Sequence, residues 1–203
     1  MFMEKIWLKH YPKNISSTID SLKFNSIIDL MKNSSSLFPD HTAFTNLNTR
    51  LSYKKIDRYS EKFGAYLQNQ LSITKRSKVA IMLPNLLTYP VALFGSYLAG
   101  AIVININPLF KGREIESALN DSGAETIIVL DRFMSELEPV VKNTLIKNII
   151  VCRVTDLLSP IMAVLIKTVF FLKGPKISLN SNYLLFSDTL KNSYLRKEYS
   201  FRK

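Results

Sequence analysis

The stretch VININPLFKGREIESALNDSGAETIIV, residues 103–129, has the pattern of a strand, a turn, a short helix and a second strand. Its two apolar runs are short and rich in β-branched residues, and the segment between them has apolar residues at helical spacing. Asn107 and Pro108 end the first strand, and Gly123 ends the helix, because glycine readily adopts the left-handed conformation that closes helices. We therefore predict a β-α-β unit here.

The same alternation extends on both sides of this unit. Four short apolar strands alternate with helices, which predicts an α/β fold with a mainly parallel sheet and helices on both faces. The predicted strands cover residues 78–83, 101–106, 125–130 and 148–154, and the predicted helices between and after them cover residues 86–100, 112–123 and 132–143.

Upstream of the alternating region we predict a helix over residues 22–38 and a small hairpin over residues 42–53. Ser52 is in the position to cap the helix that follows the hairpin. Gly64 and Gly95 fall inside predicted helices, where close helix packing is the reason we favour for a glycine.

We divide the chain into an irregular N-terminal arm (1–21), an α/β part (22–155) and a C-terminal segment (156–203) with an apolar helix and a basic tail. The apolar run 159–172 is too short to span a bilayer. It predicts either a helix at a membrane interface, with Lys167 and Lys173 reaching the headgroups, or a helix packed on a surface that this chain does not contain.

The amino-acid composition indicates a globular domain and bears on its partners. The chain has 203 residues, of which 47% are apolar, so it can bury a core of one good-sized domain. Lysine and arginine outnumber acidic residues by 27 to 16, giving a net charge of +11, but the basic residues are scattered. Scattered lysines favour a solvated surface over nucleic-acid binding, for which charge is the only argument.

The single cysteine, Cys152, excludes an internal disulfide and any Cys-x-x-Cys metal or redox site. It falls in a predicted strand, which favours a small core residue over a nucleophile. The first eleven residues lack the apolar run of a secretory signal, and we predict a cytoplasmic location.

The search for chemical motifs finds no complete active site. The sequence has neither of the glycine-rich phosphate-binding patterns GxGxxG and GxxxxGK[ST], and it has no HExxH or GxSxG motif. His10 and His41 lie in loop-like surroundings and are predicted to be surface residues. We assign no catalytic, cofactor-binding or metal-binding residue to this chain.

Residues 103–129 themselves are better explained as scaffold than as a catalytic site. Asn107 and Pro108 fall at the carboxyl edge of a parallel sheet, where open α/β folds bind ligands. However, Glu114 and Glu116 stabilise the nearby helix start through the helix dipole, and Arg113 can pair with either acid. These local roles need no substrate.

The segments EKIWLKHYP (4–12), LSYKKIDRYSEKFGAYLQ (51–68) and MLPNLLTYPVALFGSYLAGAIVININPLFKGREIESALNDSGAETIIV (82–129) together resemble the N-terminal portion of bacterial long-chain fatty acid–CoA ligases. These are acyl-CoA synthetases of the adenylate-forming superfamily. The similarity is collinear from about residue 3 to at least Cys152. It implies the incomplete N-terminal part of the AMP-binding domain.

The resemblance implies a parent enzyme that activates a fatty acid with ATP and Mg²⁺ and then joins the acyl group to coenzyme A. The phosphate loop of that family would begin shortly after Lys203, so the resemblance implies a chain truncated before its catalytic motifs and inactive alone. A complementing C-terminal half is then a possible partner. Asn85, Tyr89 and the turn at Asn107 and Pro108 are the residues that could shape the sheet edge near the acyl or nucleotide cleft.

A different class of function is a non-enzymatic module that binds acyl chains or the membrane surface. It would use the basic surface and the apolar run 159–172, and it predicts a peripheral position at the inner face of the membrane.

Overall fold

A computed structural model describes residues 5–18, 24–173 and 183–191 of the chain. In the N-terminal arm, it describes a 3₁₀ helix at Ile6–His10 and otherwise irregular backbone. The seven α-helices within the described residues are α1 (Ile27–Leu37), α2 (Tyr53–Gln70), α3 (Thr88–Leu98), α4 (Gly112–Ser122), α5 (Met134–Val141), α6 (Pro160–Lys173) and α7 (Phe186–Thr189).

The strands form a hairpin and a larger sheet. Their bounds are β1 (Thr42–Asn46), β2 (Thr49–Ser52), β3 (Lys78–Met82), β4 (Ile102–Asn105), β5 (Thr126–Leu130), β6 (Asn148–Cys152) and β7 (Leu184–Leu185). β1 and β2 are antiparallel and are joined by Leu47 and Asn48, both with positive φ, as in the type I′ hairpin turn. The other five strands pair in parallel in the order β4-β3-β5-β6-β7.

The predicted α/β class with a mainly parallel sheet is confirmed, and the predicted hairpin is present. The sheet has one strand more than the four that the sequence pattern predicts. β7 has only two residues, and it pairs Leu184 with Ile150 and Leu185 with Val151. The division of the chain into three parts stays a prediction, although β7 shows that the C-terminal segment returns to the sheet.

Both faces of the sheet are covered by helices, as predicted. On one face α2 and α3 pack with alternate strand residues such as Ile81 and Ile128, and Phe63 and Phe186 stack there with ring centroids 5.1 Å apart. On the other face α4 and α5 pack on the intervening residues, including Met82 and Val129. β5 is buried along its whole length because both of its faces are covered.

Two glycines bring α2 and α3 into close contact. A Cβ atom on Gly64 would lie 2.8 Å from the carbonyl oxygen of Gly95, and a Cβ on Gly95 would lie 2.7 Å from Cδ1 of Phe63. The close packing that the sequence predicts for both glycines is therefore present. This contact sets how closely α3 packs against α2, and α3 begins a few residues after the end of β3.

Candidate functional site

The carboxyl edge of the main sheet brings together the loops that follow β3, β4, β5 and β6, because these strands are parallel. β4 and β5 lie on opposite sides of β3, and the helices that follow β3 and β4 cover opposite faces of the sheet. The end of β3 is thus a topological switch point, where open α/β sheets form a ligand crevice. We take this edge as the candidate site.

The structure places Asn85 and Tyr89 at this edge, together with two further asparagines. The Tyr89 hydroxyl donates a hydrogen bond to Oδ1 of Asn105, at the end of β4, over 3.1 Å. Nδ2 of Asn46, from the hairpin, donates to the backbone oxygen of Asn85 over 3.1 Å. The hairpin and the loop after β3 are therefore tied to each other through polar contacts that local sequence patterns do not reveal.

Asn107 and Pro108 form a self-contained turn. Oδ1 of Asn107 accepts the backbone N–H of Leu109 over 3.0 Å, and its carbonyl oxygen accepts the N–H of Phe110 over 3.1 Å. The asparagine side chain thus mimics a backbone turn, which is a common role for this residue type. The turn needs no ligand, and this agrees with the scaffold interpretation.

Two carboxylates accept the backbone N–H groups at the start of α4, but only one of them is near in sequence. Glu114 accepts the backbone N–H of Lys111 over 2.9 Å. Glu136, from α5, accepts Nζ of Lys111 over 3.0 Å and the N–H of Gly112 over 3.5 Å, and the bond from Lys111 lowers the pKa of Glu136. The sequence analysis missed Glu136, because a pair 25 positions apart leaves no local signal.

Glu116 and Arg113 do not pair with each other. Glu116 accepts a hydrogen bond from Nδ2 of Asn143 over 3.2 Å. Within the described part of the chain, none of the ion pairs joins Arg113 to Glu114 or Glu116. The pairing that the sequence allows for Arg113 is therefore not formed.

The loops after β5 and β6 hold two partly buried acids near a buried thiol. Burial raises the pKa of Asp131, and it also raises the pKa of Asp156, although Asp156 accepts the N–H of Arg153 over 2.9 Å. The pKa of Cys152 is raised well above its usual value, first by burial and then by the charge of Asp156. The thiol is fully buried, so the core role predicted for Cys152 is confirmed.

Three side-chain oxygens at this edge are buried without a hydrogen-bond partner among the described residues. Two of them belong to an amide and a carboxylate, Oδ1 of Asn46 and Oδ1 of Asp131, and the third is Oγ1 of Thr88. A buried polar atom without a partner costs free energy, so such atoms mark positions where a ligand or another segment could supply a donor. The sequence analysis named none of these residues, and the burial of their oxygens follows from tertiary packing alone.

The described residues do not fit ATP and Mg²⁺ on their own. Residues 5–18, 24–173 and 183–191 contain no group of three or more His, Cys, Asp and Glu side chains that could hold a metal ion. The sequence has no glycine-rich phosphate loop. His10 and His41 are exposed, as predicted, and His41 packs edge-on against Phe38. That this chain holds no catalytic residue stays a prediction.

The opposite edge of the sheet, where the strands begin, has a cavity of about 620 Å³. Lys75, Arg76, Lys78 and Lys147 line it, and the acid Glu125 pairs with Lys147 over 2.9 Å. The signal in the sequence is the basic turn 74–78, TKRSK, which the motif search does not capture.

A protein-family model described as AMP-binding enzyme matches residues 31–166. This range covers most of the chain and includes the hairpin, both helical layers and the strands β3 to β6. The chain belongs to the AMP-binding enzyme family.

Several relatives by sequence are long-chain-fatty-acid–CoA ligases. The chain is 45% identical over 157 residues to the ligase of Haemophilus influenzae, with 77% of this chain and 28% of the relative covered. It is 39% identical over 195 residues to the ligase of Escherichia coli O157:H7, with 95% of this chain and 35% of the relative covered. The resemblance to the N-terminal portion of these ligases is confirmed, and the chain spans about a third of their length.

Solved structures show the same fold at lower identity. An anthranilate CoA ligase in complex with anthranoyl-AMP superposes with a TM-score of 0.71 at 19% identity, covering 89% of this chain and 30% of that one. A putative long-chain-fatty-acid CoA ligase from Rhodopseudomonas palustris gives a TM-score of 0.67 at 18% identity, covering 88% and 40%. The sheet with helices on both faces is thus part of a larger fold in these ligases.

Proposed function

We propose that this chain supplies the N-terminal part of the AMP-binding domain of a long-chain fatty acid–CoA ligase. The whole enzyme would convert a fatty acid to an acyl-adenylate with ATP and then to acyl-CoA. The observation that carries the proposal is the identity of 39% across 95% of the chain to a ligase of this name. Identity of this extent covers the carboxyl edge as well as the core.

In this proposal the chain is scaffold for a site that needs further residues. ATP, Mg²⁺ and coenzyme A would be bound mainly by further residues, since the sequence has no glycine-rich phosphate loop. The role of this chain is to fix the sheet edge through the contact from Tyr89 to Asn105 and the turn at Asn107. The 203-residue chain alone is therefore expected to be inactive, and a complementing C-terminal half is the partner proposed for it.

A chimera tests the proposal. The 195-residue matched segment of the Escherichia coli O157:H7 ligase is replaced by this chain, and oleate-dependent exchange of pyrophosphate into ATP is measured. We expect exchange by the chimera and none by the 203-residue chain alone. The unmodified ligase is the positive control, and its remaining part without any N-terminal segment is the negative control.

Two outcomes contradict the proposal. A chimera that melts cooperatively and yet gives no oleate-dependent exchange would remove the assignment to a fatty acid ligase. Exchange by the 203-residue chain alone would instead disprove its dependence on further residues.

The cytoplasmic location stays a prediction, and fractionation of cells that express the chain would test it. No helix among the described residues is long and apolar enough to cross a membrane.

A further inference from the structure

The cavity at the edge where the strands begin has an excess of positive charge. Its volume of about 620 Å³ lies within the range of about 300–1,000 Å³ that small-molecule sites occupy. Four basic side chains line it, and the one acid among its described lining residues, Glu125, pairs with Lys147 over 2.9 Å. Within the described part of the chain, none of the ion pairs joins Arg76 or Lys78 to an acid. These two cations are therefore not neutralised by a bound carboxylate.

The turn that carries Arg76 is held by four hydrogen bonds. The backbone N–H of Thr74 donates to Oγ of Ser77 over 2.9 Å, and the N–H of Ser77 donates to the carbonyl oxygen of Thr74 over 3.0 Å. The N–H of Arg76 donates to the carbonyl oxygen of Gly100 over 3.2 Å, and the N–H of Ile102 donates to that of Ser77 over 2.8 Å. The backbone under the basic side chains is thus already ordered, which lowers the entropy cost of binding a ligand.

Arg76 has a backbone conformation that its residue type disfavours. Its φ of 74° lies in the left-handed region, where glycine is the favoured residue. Ser72, which also lines the cavity, has a φ of 54°. Strained residues of this kind cost free energy and are frequent at ligand sites. What Arg76 offers and glycine does not is a planar guanidinium group, whose donors match the spacing of phosphate oxygens.

The charge at the cavity matches a doubly charged anion. The four bases and Glu125 leave an excess of three positive charges. Leu71 and Gly123, which follow the last residues of α2 and α4, also line the cavity, and each of these helix ends contributes roughly half a negative charge. The remaining charge is about +2. A terminal phosphate group carries about −1.5 to −2 at pH 7, whereas a phosphodiester carries about −1.

We propose that this cavity binds a soluble small molecule through a terminal phosphate or diphosphate group. The phosphate oxygens would accept hydrogen bonds from the guanidinium group of Arg76 and the ammonium group of Lys78. Nζ of Lys78 lies 3.3 Å from the position that a Cβ on Gly123 would take, so it is at the wall of the cavity. Leu71 and Ile73 would contact the organic part of the ligand. The proposal is independent of the ligase assignment.

The experiment titrates the 203-residue chain with inorganic pyrophosphate in a calorimeter, without ATP or fatty acid. The test variant is Arg76→Gly/Lys78→Gln. Glycine accepts a φ of 74°, so the first substitution keeps the turn. The matched control is Lys54→Gln/Lys55→Gln, which removes the same number of positive charges from exposed positions at the start of α2. Circular dichroism melts establish that each variant is folded.

We expect the wild type to bind one pyrophosphate per chain with a saturable signal. The test variant should bind at least about tenfold more weakly, because two charged hydrogen-bond donors are lost. The matched control should bind like the wild type. Vesicles of phosphatidylcholine with phosphatidylglycerol, whose phosphates are diesters, should not displace pyrophosphate from the wild type.

Any of three results would overturn the proposal. The first is a wild type without saturable pyrophosphate binding. The second is equal weakening by the test variant and the matched control, which would indicate attraction by the net charge of +11 and not by a site. The third is displacement of pyrophosphate by the vesicles or by a short DNA duplex, which would identify a surface for phosphodiesters. Loss of ligase activity in the chimera would leave these readouts unchanged.

Discussion

Replacing Gly64 with alanine tests the closest contact between α2 and α3. The new Cβ would lie 2.8 Å from the carbonyl oxygen of Gly95 and 3.2 Å from Cβ of Leu98. The first obstacle is a backbone atom of a buried helix, so it cannot move aside as a flexible side chain would. The two helices must therefore separate or shift.

Two opposing effects set the magnitude of the change. Alanine stabilises a helix interior over glycine by about 1 kcal/mol. Overpacking of a well-packed core costs about 1–3 kcal/mol, and contact with a backbone atom places Gly64 toward the upper end. We therefore expect Gly64→Ala to lower the free energy of unfolding by about 1–2 kcal/mol, measured by urea denaturation with circular dichroism.

Gly112→Ala is the matched control. A Cβ at Gly112, the first residue of α4, would meet only Cγ1 of Val140 at 3.6 Å, which is an ordinary contact. This variant should unfold at the urea concentration of the wild type or slightly above it. The packing argument is wrong if Gly64→Ala matches or exceeds the wild type in stability, because the gain in helix propensity would then meet no steric cost.

Two further predictions concern the carboxyl edge. Because the thiol of Cys152 is buried and its pKa is raised, it should react with a thiol reagent at mildly alkaline pH only as fast as the protein unfolds, and rapid labelling of the folded protein would contradict this. Burial also raises the pKa values of Asp131 and Asp156, so the folded protein binds protons at these groups more tightly than the unfolded chain, and their ionisation costs stability as the pH rises. The double variant Asp131→Asn/Asp156→Asn should therefore gain stability relative to the wild type as the pH rises from about 4 to about 7, measured by urea titration. A loss of stability relative to the wild type over that interval would show that ionisation of these carboxyl groups stabilises the fold.

The starts, ends and types of the central elements follow from local sequence. Short β-branched runs predict strands, apolar residues at helical spacing predict helices, and Gly123 ends α4 with a φ of 64°. Ser52 caps α2 by accepting the N–H of Lys55, as its position predicts. These features depend on neighbours within a few residues, and such neighbours are visible in the sequence.

The carboxyl edge shows the limit of local patterns. The turn at Asn107 is predictable because an asparagine side chain in a turn accepts the backbone N–H two residues later, here that of Leu109. The burial of Asp131 and the contact between Glu136 and Lys111 are not predictable, because each depends on which helix packs beside which strand. Several acids have similar neighbours in the sequence, and only long-range packing decides which of them is buried or forms an ion pair.

The sequence by itself determined the α/β class, the periodic strands and helices, the buried thiol and the resemblance to the ligase family. Tertiary structure alone decided the strand order, the pairing of β7 with β6 and the exposure of apolar side chains on α6. The physical reason is that periodicity reports which face of an element is apolar but not what covers it. A two-residue strand such as β7 has no periodicity, and it becomes a strand only because the edge of β6 offers it hydrogen bonds.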